Sequence, residues 1–143
     1  MIAKPITYKE LESAIRAAFK DDPKIIDIYD PFAKVESIGD IVTDIVTKIK
    51  THPHPQINGL YEKSKLIGFF IRAGGLLVSF GLAVEYRIRK FKNQFWKLVR
   101  LEFKGVFKCY LWTNNQRAIQ WLQKMGMLVT NCDERLTELT FKS

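Results

Sequence analysis

The sequence predicts an α/β fold: a sheet of mixed strand pairing with helices packed on its faces. Three observations carry that expectation. Apolar stripes at helical spacing occur at both ends of the chain, and strand-like apolar runs occupy the middle. A strand–helix–strand–helix succession then follows, which antiparallel hairpins alone cannot build. At 143 residues, with 47% hydrophobic and 27% charged residues, the chain has the length and composition of one folded domain spanning residues 1–143.

Thr7-Tyr8-Lys9-Glu10 reads as a capping box, and Leu11, Ala14, Ile15, Ala18 and Phe19 follow as one apolar stripe until Asp21-Asp22-Pro23 stops the helix. Residues 24–35 fit either a short strand or a packed loop. Ile38, Ile41, Val42, Ile45, Val46 and Ile49 share a face, so a second helix is expected over Ile38–Lys50, with Ser37 and Asp40 as its start signal. Its β-branched content is high, but the period outweighs propensity. Strands are expected at Asn58–Glu62 and Lys65–Ala73 around a Lys63-Ser64 turn, and at Leu76–Arg87 after Gly74-Gly75. A helix over Asn93–Phe103, a strand over Val106–Trp112, a helix opened by a Thr113–Gln116 capping box, and a hairpin of Leu128–Asn131 with Leu136–Phe141 complete the order.

Several function classes fall away. Leu66–Val84 approaches membrane-spanning length, but Arg72 near its centre would cost about 3 kcal/mol in a bilayer, and Gly74-Gly75 divides it into two strand lengths. MIAKPITYKE lacks an apolar core and a cleavage site, so no secretory signal is read and a cytoplasmic location is expected. Cys109 and Cys132 have no ligand spacing and read as free thiols; His52 and His54, between prolines, are a weak metal signal, and no metal is expected.

The net charge of +8 is concentrated. Arg87, Arg89, Lys90, Lys92, Lys97, Arg100, Lys104 and Lys108 face one acid, Glu102. Such a stretch suits a phosphate-bearing cofactor, a nucleic acid or a solvated helix face. Phe91, Phe95 and Trp96 lie within it, but their spacing points inward, which weakens the nucleic-acid reading.

The segment Thr113–Met127 (TNNQRAIQWLQKMGM) resembles the second half of the GNAT N-acetyltransferase superfamily, where a pattern like N-x-x-A-x-x-x-Y-x-x-x-G-F is common. Asn115, Ala118, Gly126 and Met127 match; Leu122 stands where the family often has tyrosine. Glu85-Tyr86-Arg87 is similar to the start of the family's E-Y-R-G-x-G-x-G loop, with Ile88, Lys90 and Lys92 in the glycine positions. The resemblance covers roughly residues 57–141. It implies a mixed, mostly antiparallel sheet flanked by about four helices, and acyl transfer from acetyl-coenzyme A to an amine. It also implies backbone N–H groups at Leu82, Ala83 and Val84 holding the cofactor. Arg87, Arg89, Lys90, Lys92 and Asn93 would lie at its phosphates and Asn115 at its pantetheine arm. Glu85 would be the base, and Tyr86 or Tyr110 would take the place of the missing tyrosine as acid. The departures leave an inactive binding module as the alternative, and the sequence leaves open a homodimer.

Overall fold

In a computed structural model that describes residues 1–142, a sheet of seven strands is covered by helices on both faces. The elements run β1 (Ile2–Pro5), α1 (Tyr8–Phe19), α2 (Ile25–Ile28), α3 (Ile38–Ile49), β2 (Gln56–Glu62), β3 (Lys65–Ala73) and β4 (Leu76–Leu82). They continue with α4 (Arg89–Glu102), β5 (Phe107–Trp112), α5 (Gln116–Lys124), β6 (Leu128–Cys132) and β7 (Leu136–Phe141). The strand order is β1-β2-β3-β4-β5-β7-β6, and every neighbour is antiparallel except β4 with β5.

Each face has its own core. Leu11, Ile15 and Ala18 of α1 with Ile41, Ile45 and Ile49 of α3 bury against Phe69 and Ile71 of β3. On the other face Phe95, Trp96 and Val99 of α4 with Ile119 and Leu122 of α5 bury against Phe70, Phe107 and Leu139. The Thr7 capping box forms as expected: the Glu10 amide donates to Thr7 Oγ1 at 3.1 Å, and the Thr7 amide donates to Glu10 Oε1 at 3.1 Å. Thr7→Ala should therefore lower stability by about 1 kcal/mol, read as a reduced midpoint in urea with an unchanged slope.

Four sequence expectations need correction. β1 carries no sequence signal, since four residues are too few for a period to show, yet they pair with β2 from Ile2–Tyr61 to Pro5–Asn58. The ambiguous segment contains one helical turn, Ile25–Ile28. The strand expected to reach Arg87 ends at Leu82, because the Ala83 amide closes the ladder on the Ile67 carbonyl and the chain then turns through a short 3-10 segment, Val84–Tyr86. The helix expected from Asn93 begins at Arg89 instead. Three cations beside the positive helix end oppose that start, and the Tyr86–Phe91 ring contact at 5.1 Å secures the first turn against them.

The turns follow local chemistry. Lys63 and Ser64 both have positive φ, as a two-residue hairpin turn requires. Gly126 ends α5 at φ +105°. Gly68 is needed for a different reason: a Cβ there would stand 2.3 Å from the Gly81 carbonyl oxygen, so β3 and β4 could not approach. The thiols are apart: Cys109 is buried, which pushes its pKa up to about 12, and Cys132 is exposed. Among the described residues no helix is long and apolar enough to cross a membrane, and no cluster of metal-ligating side chains occurs.

Candidate active site

β4 and β5 are parallel, but they pair only at Leu76–Lys108 and Leu77–Cys109. Beyond that point β4 stays with β3 as far as Leu82, and β5 stays with β7 as far as Trp112. The two halves of the sheet therefore diverge, and a cavity of about 460 Å³ opens between them, within the usual range for a small-molecule site. It is lined from both faces: Phe19, Tyr29 and Ile49 on one side, Phe95, Ala118 and Trp121 on the other. Phe80, Phe95 and Trp121 form its aromatic floor, with ring centroids 5.5–6.0 Å apart.

The inner edge of β4 offers unspent backbone groups. The Ala83–Ile67 bond fixes which residues face β3, and by the two-residue alternation of an antiparallel ladder Leu82 and Phe80 present their amides to the cleft, before the register shifts at Val78. Ala83, which the resemblance placed with the cofactor, has its N–H committed to Ile67. At the same end α4 begins with no capping side chain from Ile88 and no acid in its first turn. The amides of Arg89, Lys90 and Phe91 have no intrahelical carbonyl to meet, so together with the helix dipole and Lys92, which lines the cavity, they make an anion-binding corner.

Asn115 also lines the cavity, and its Oδ1 accepts from the Ala118 amide at 3.2 Å, making it the N-cap of α5. The capping box expected at Thr113 does not form. Thr113 Oγ1 donates to the Asp133 carbonyl, while the Gln116 side chain donates to the Thr113 carbonyl. Tyr110 lines the cavity from β5 and donates to Glu138 Oε2 at 2.7 Å, a bond that raises its pKa and keeps it protonated. Leu122 is fully buried in the core and not in the cleft.

Glu85 lies elsewhere. It is 61% exposed in the 3-10 turn, outside the cavity lining, and pairs with Lys65 at 2.9 Å. Arg87 is also differently employed. Its Nε donates to the Leu82 carbonyl, Nη1 to Asp22 and Nη2 to the Ala18 carbonyl, all within 3.0 Å. Asp22 is buried and receives Arg117 of α5 as well, at 2.7 and 3.1 Å. Burial is the largest influence on its carboxyl and pushes the pKa up. The hydrogen bonds from Arg117 and Arg87, with their charges, outweigh it and bring the value down to about 2. This triad ties the end of α1 to the loop after β4 and the start of α5. Nothing local announces it, since Asp22 reads as a helix stop and its partners lie 65 and 95 residues away.

A second cluster sits under α3. Lys48 donates to Asp30 and is 2.8 Å from Asp44, and Tyr29 donates to Asp44 at 2.6 Å. Burial lowers the Lys48 pKa, but the hydrogen bonds it donates to the two acids, with their charges, overcome it and the net direction is up.

This architecture has clear counterparts among solved structures. An acetyltransferase from Thermus thermophilus superposes with a TM-score of 0.75 at 15% identity, over 100% of this chain and 98% of that one. The fold is that of the GNAT acetyltransferases. A PaiA N-acetyltransferase from Thermoplasma acidophilum, solved with coenzyme A, gives a TM-score of 0.64 at 18% identity over 99% of this chain and 98% of its own. A spermidine N-acetyltransferase from Vibrio cholerae gives 0.61 at 10% identity over 99% and 95%. No protein-family model matches the sequence, and no curated protein does. The GNAT fold thus rests on shape.

Proposed function

We propose that this chain, acting as one domain over residues 1–143, is an N-acyltransferase that takes acetyl-coenzyme A and an amine. The observation that carries the reading is the open cleft between β4 and β5, with unpaired amides along one wall and the cationic start of α4 at its mouth. The structural neighbours are N-acetyltransferases, some solved with coenzyme A or acetyl-coenzyme A. The acceptor is an amine that this likeness does not specify.

The residues present suit an acyl-coenzyme A without the loop glycines. Ile88, Lys90 and Lys92 belong to the start of α4 and not to a wrapped loop, so phosphates would be met by the first-turn amides and by Arg89, Lys90, Lys92 and Asn93. The cleft-facing amides of Leu82 and Phe80 would hold the pantetheine arm and polarise the thioester carbonyl, with Val84 beyond the strand end and Asn115 across the gap. The amine forms the C–N bond as the C–S bond breaks. Tyr110 is in the cleft with its single hydroxyl proton held by Glu138, so it would reach the departing sulfur only by exchanging that bond for one to the thiolate. Glu85, paired outside the cavity, is poorly placed as the base, so the amine proton would pass to cleft water. Positioning would supply most of the acceleration.

Acetyl-coenzyme A at 100 times its dissociation constant should stabilise the native state by about 2.7 kcal/mol, read as a clear rise in melting temperature. Lys92→Ala should weaken binding roughly tenfold, with the loss shrinking as salt rises. Absence of both a thermal shift and a calorimetric signal would sink the reading. The nucleic-acid alternative is disfavoured because Phe95 and Trp96 are buried and cannot stack on bases.

A further inference from the structure

The acceptor end of the cleft has a chemistry of its own. Its lining on the α1–α3 side is apolar, with Ile25, Ile28, Ile45, Ile49, Trp112 and Leu136 among its walls. Trp112 is held in place by Phe32, ring centroids 5.2 Å apart, and the Arg135 guanidinium lies 4.3 Å from the centroid of the Phe32 ring. Among the described residues Asp30 is the single carboxylate in the lining, and of its cations Lys48 is paired with Asp30 and Asp44, and Arg87 and Arg117 with Asp22. Asp30 is itself satisfied. Its Oδ1 accepts from the Phe32 amide at 2.8 Å, and its Oδ2 is held by Lys48.

From this we infer that the acceptor is a monoamine with an apolar, preferably aromatic, body, and not a polyamine or a lysine-rich peptide. The inference rests on the acyl-transfer reading above and names the substrate class for the same cleft. A polyamine brings two or more ammonium groups, and each beyond the reacting nitrogen needs a carboxylate of its own. Here the one carboxylate is paired, and a resident lysine ammonium already occupies the position a second cation would seek. The reacting amine needs no partner, because it must be neutral to attack. An aromatic body, by contrast, displaces water from the isoleucine walls and meets the Trp112 ring. Specificity then arises as much from the lack of a free carboxylate for a second ammonium as from contact with the apolar body.

The test has two stages on the intact chain. Acetyl-coenzyme A binding is measured first by calorimetry; its absence would remove the acyl-transfer reading and the amine preference with it. With binding established, thiol release is followed with tryptamine, 2-phenylethylamine, ethylamine, spermidine and a lysine-rich peptide. Tryptamine or 2-phenylethylamine should exceed spermidine and the peptide at least tenfold in kcat/KM. Trp112→Ala should raise KM for 2-phenylethylamine several-fold, and by a larger factor than any change it makes in KM for ethylamine. Spermidine or the peptide as the best acceptor would overturn the inference while leaving acyl transfer intact. So would coenzyme binding with neither turnover nor a thermal shift from either aromatic amine.

Discussion

Asp22→Asn is expected to cost about 3 kcal/mol and to lower the melting temperature by roughly 10 °C. The side chain is nearly inaccessible and receives two guanidiniums, so the neutral amide leaves Arg87, itself largely buried, without its counter-charge. Arg117 stays about half in water and loses less, which holds the cost near the lower end for a broken buried pair. The pH dependence gives a second reading. The carboxyl titrates near 2 in the folded chain against an ordinary 3.8, so its contribution is complete above about pH 4. It is lost as pH falls through 2, where the folded state must take up the proton. Denaturation followed from pH 6 to pH 2 should show this loss in the parent chain and its absence in Asp22→Asn. Equal acid sensitivity in both would show that the triad does not anchor the fold.

The same residue shows where sequence reading stops. Periodicity locates both long helices under the N-terminal half, and Lys65–Ala73 and Leu136–Phe141 have their observed bounds in the sequence reading, because each has a local signal. The mixed, mostly antiparallel sheet is likewise legible, through element order and the motif ending at Gly126. The site is legible only where a residue's role is local. Asn115 caps a helix beside a strand end and therefore lines the cleft wherever the helix goes. Glu85 and Arg87 are placed by motif, but the chain after β4 turns sharply. One side chain meets Lys65 in solvent, and the other is drawn to Asp22. Tyr29, Asp30 and Lys48 are invisible as site residues in the sequence, since only the tertiary packing of α3 and of the segment after α2 brings them to the cleft.

Ala118→Trp should abolish coenzyme binding without unfolding the chain. Ala118 stands on α5 facing the gap, next to Trp121 and across from Phe80, where β4 and β5 are furthest from bonding to each other. An indole there would lie along the aromatic floor and occupy the path between the Leu82 and Phe80 amides and Asn115. Because it enters an open cleft and not a packed core, it creates no overpacking, and the apolar area it covers offsets its lost rotamer freedom. The melting temperature should stay within a few degrees of the parent chain or rise. Affinity for acetyl-coenzyme A should fall at least 100-fold, about 2.7 kcal/mol, and acetyl transfer should vanish with it. This separates the cleft from the basic surface of α4. If the coenzyme were held by Arg89, Lys90, Lys92 and Asn93 alone, Ala118→Trp would bind it as the parent chain does, and only transfer would be lost. Unchanged affinity would therefore place the phosphates correctly but the pantetheine arm outside the β4–β5 gap.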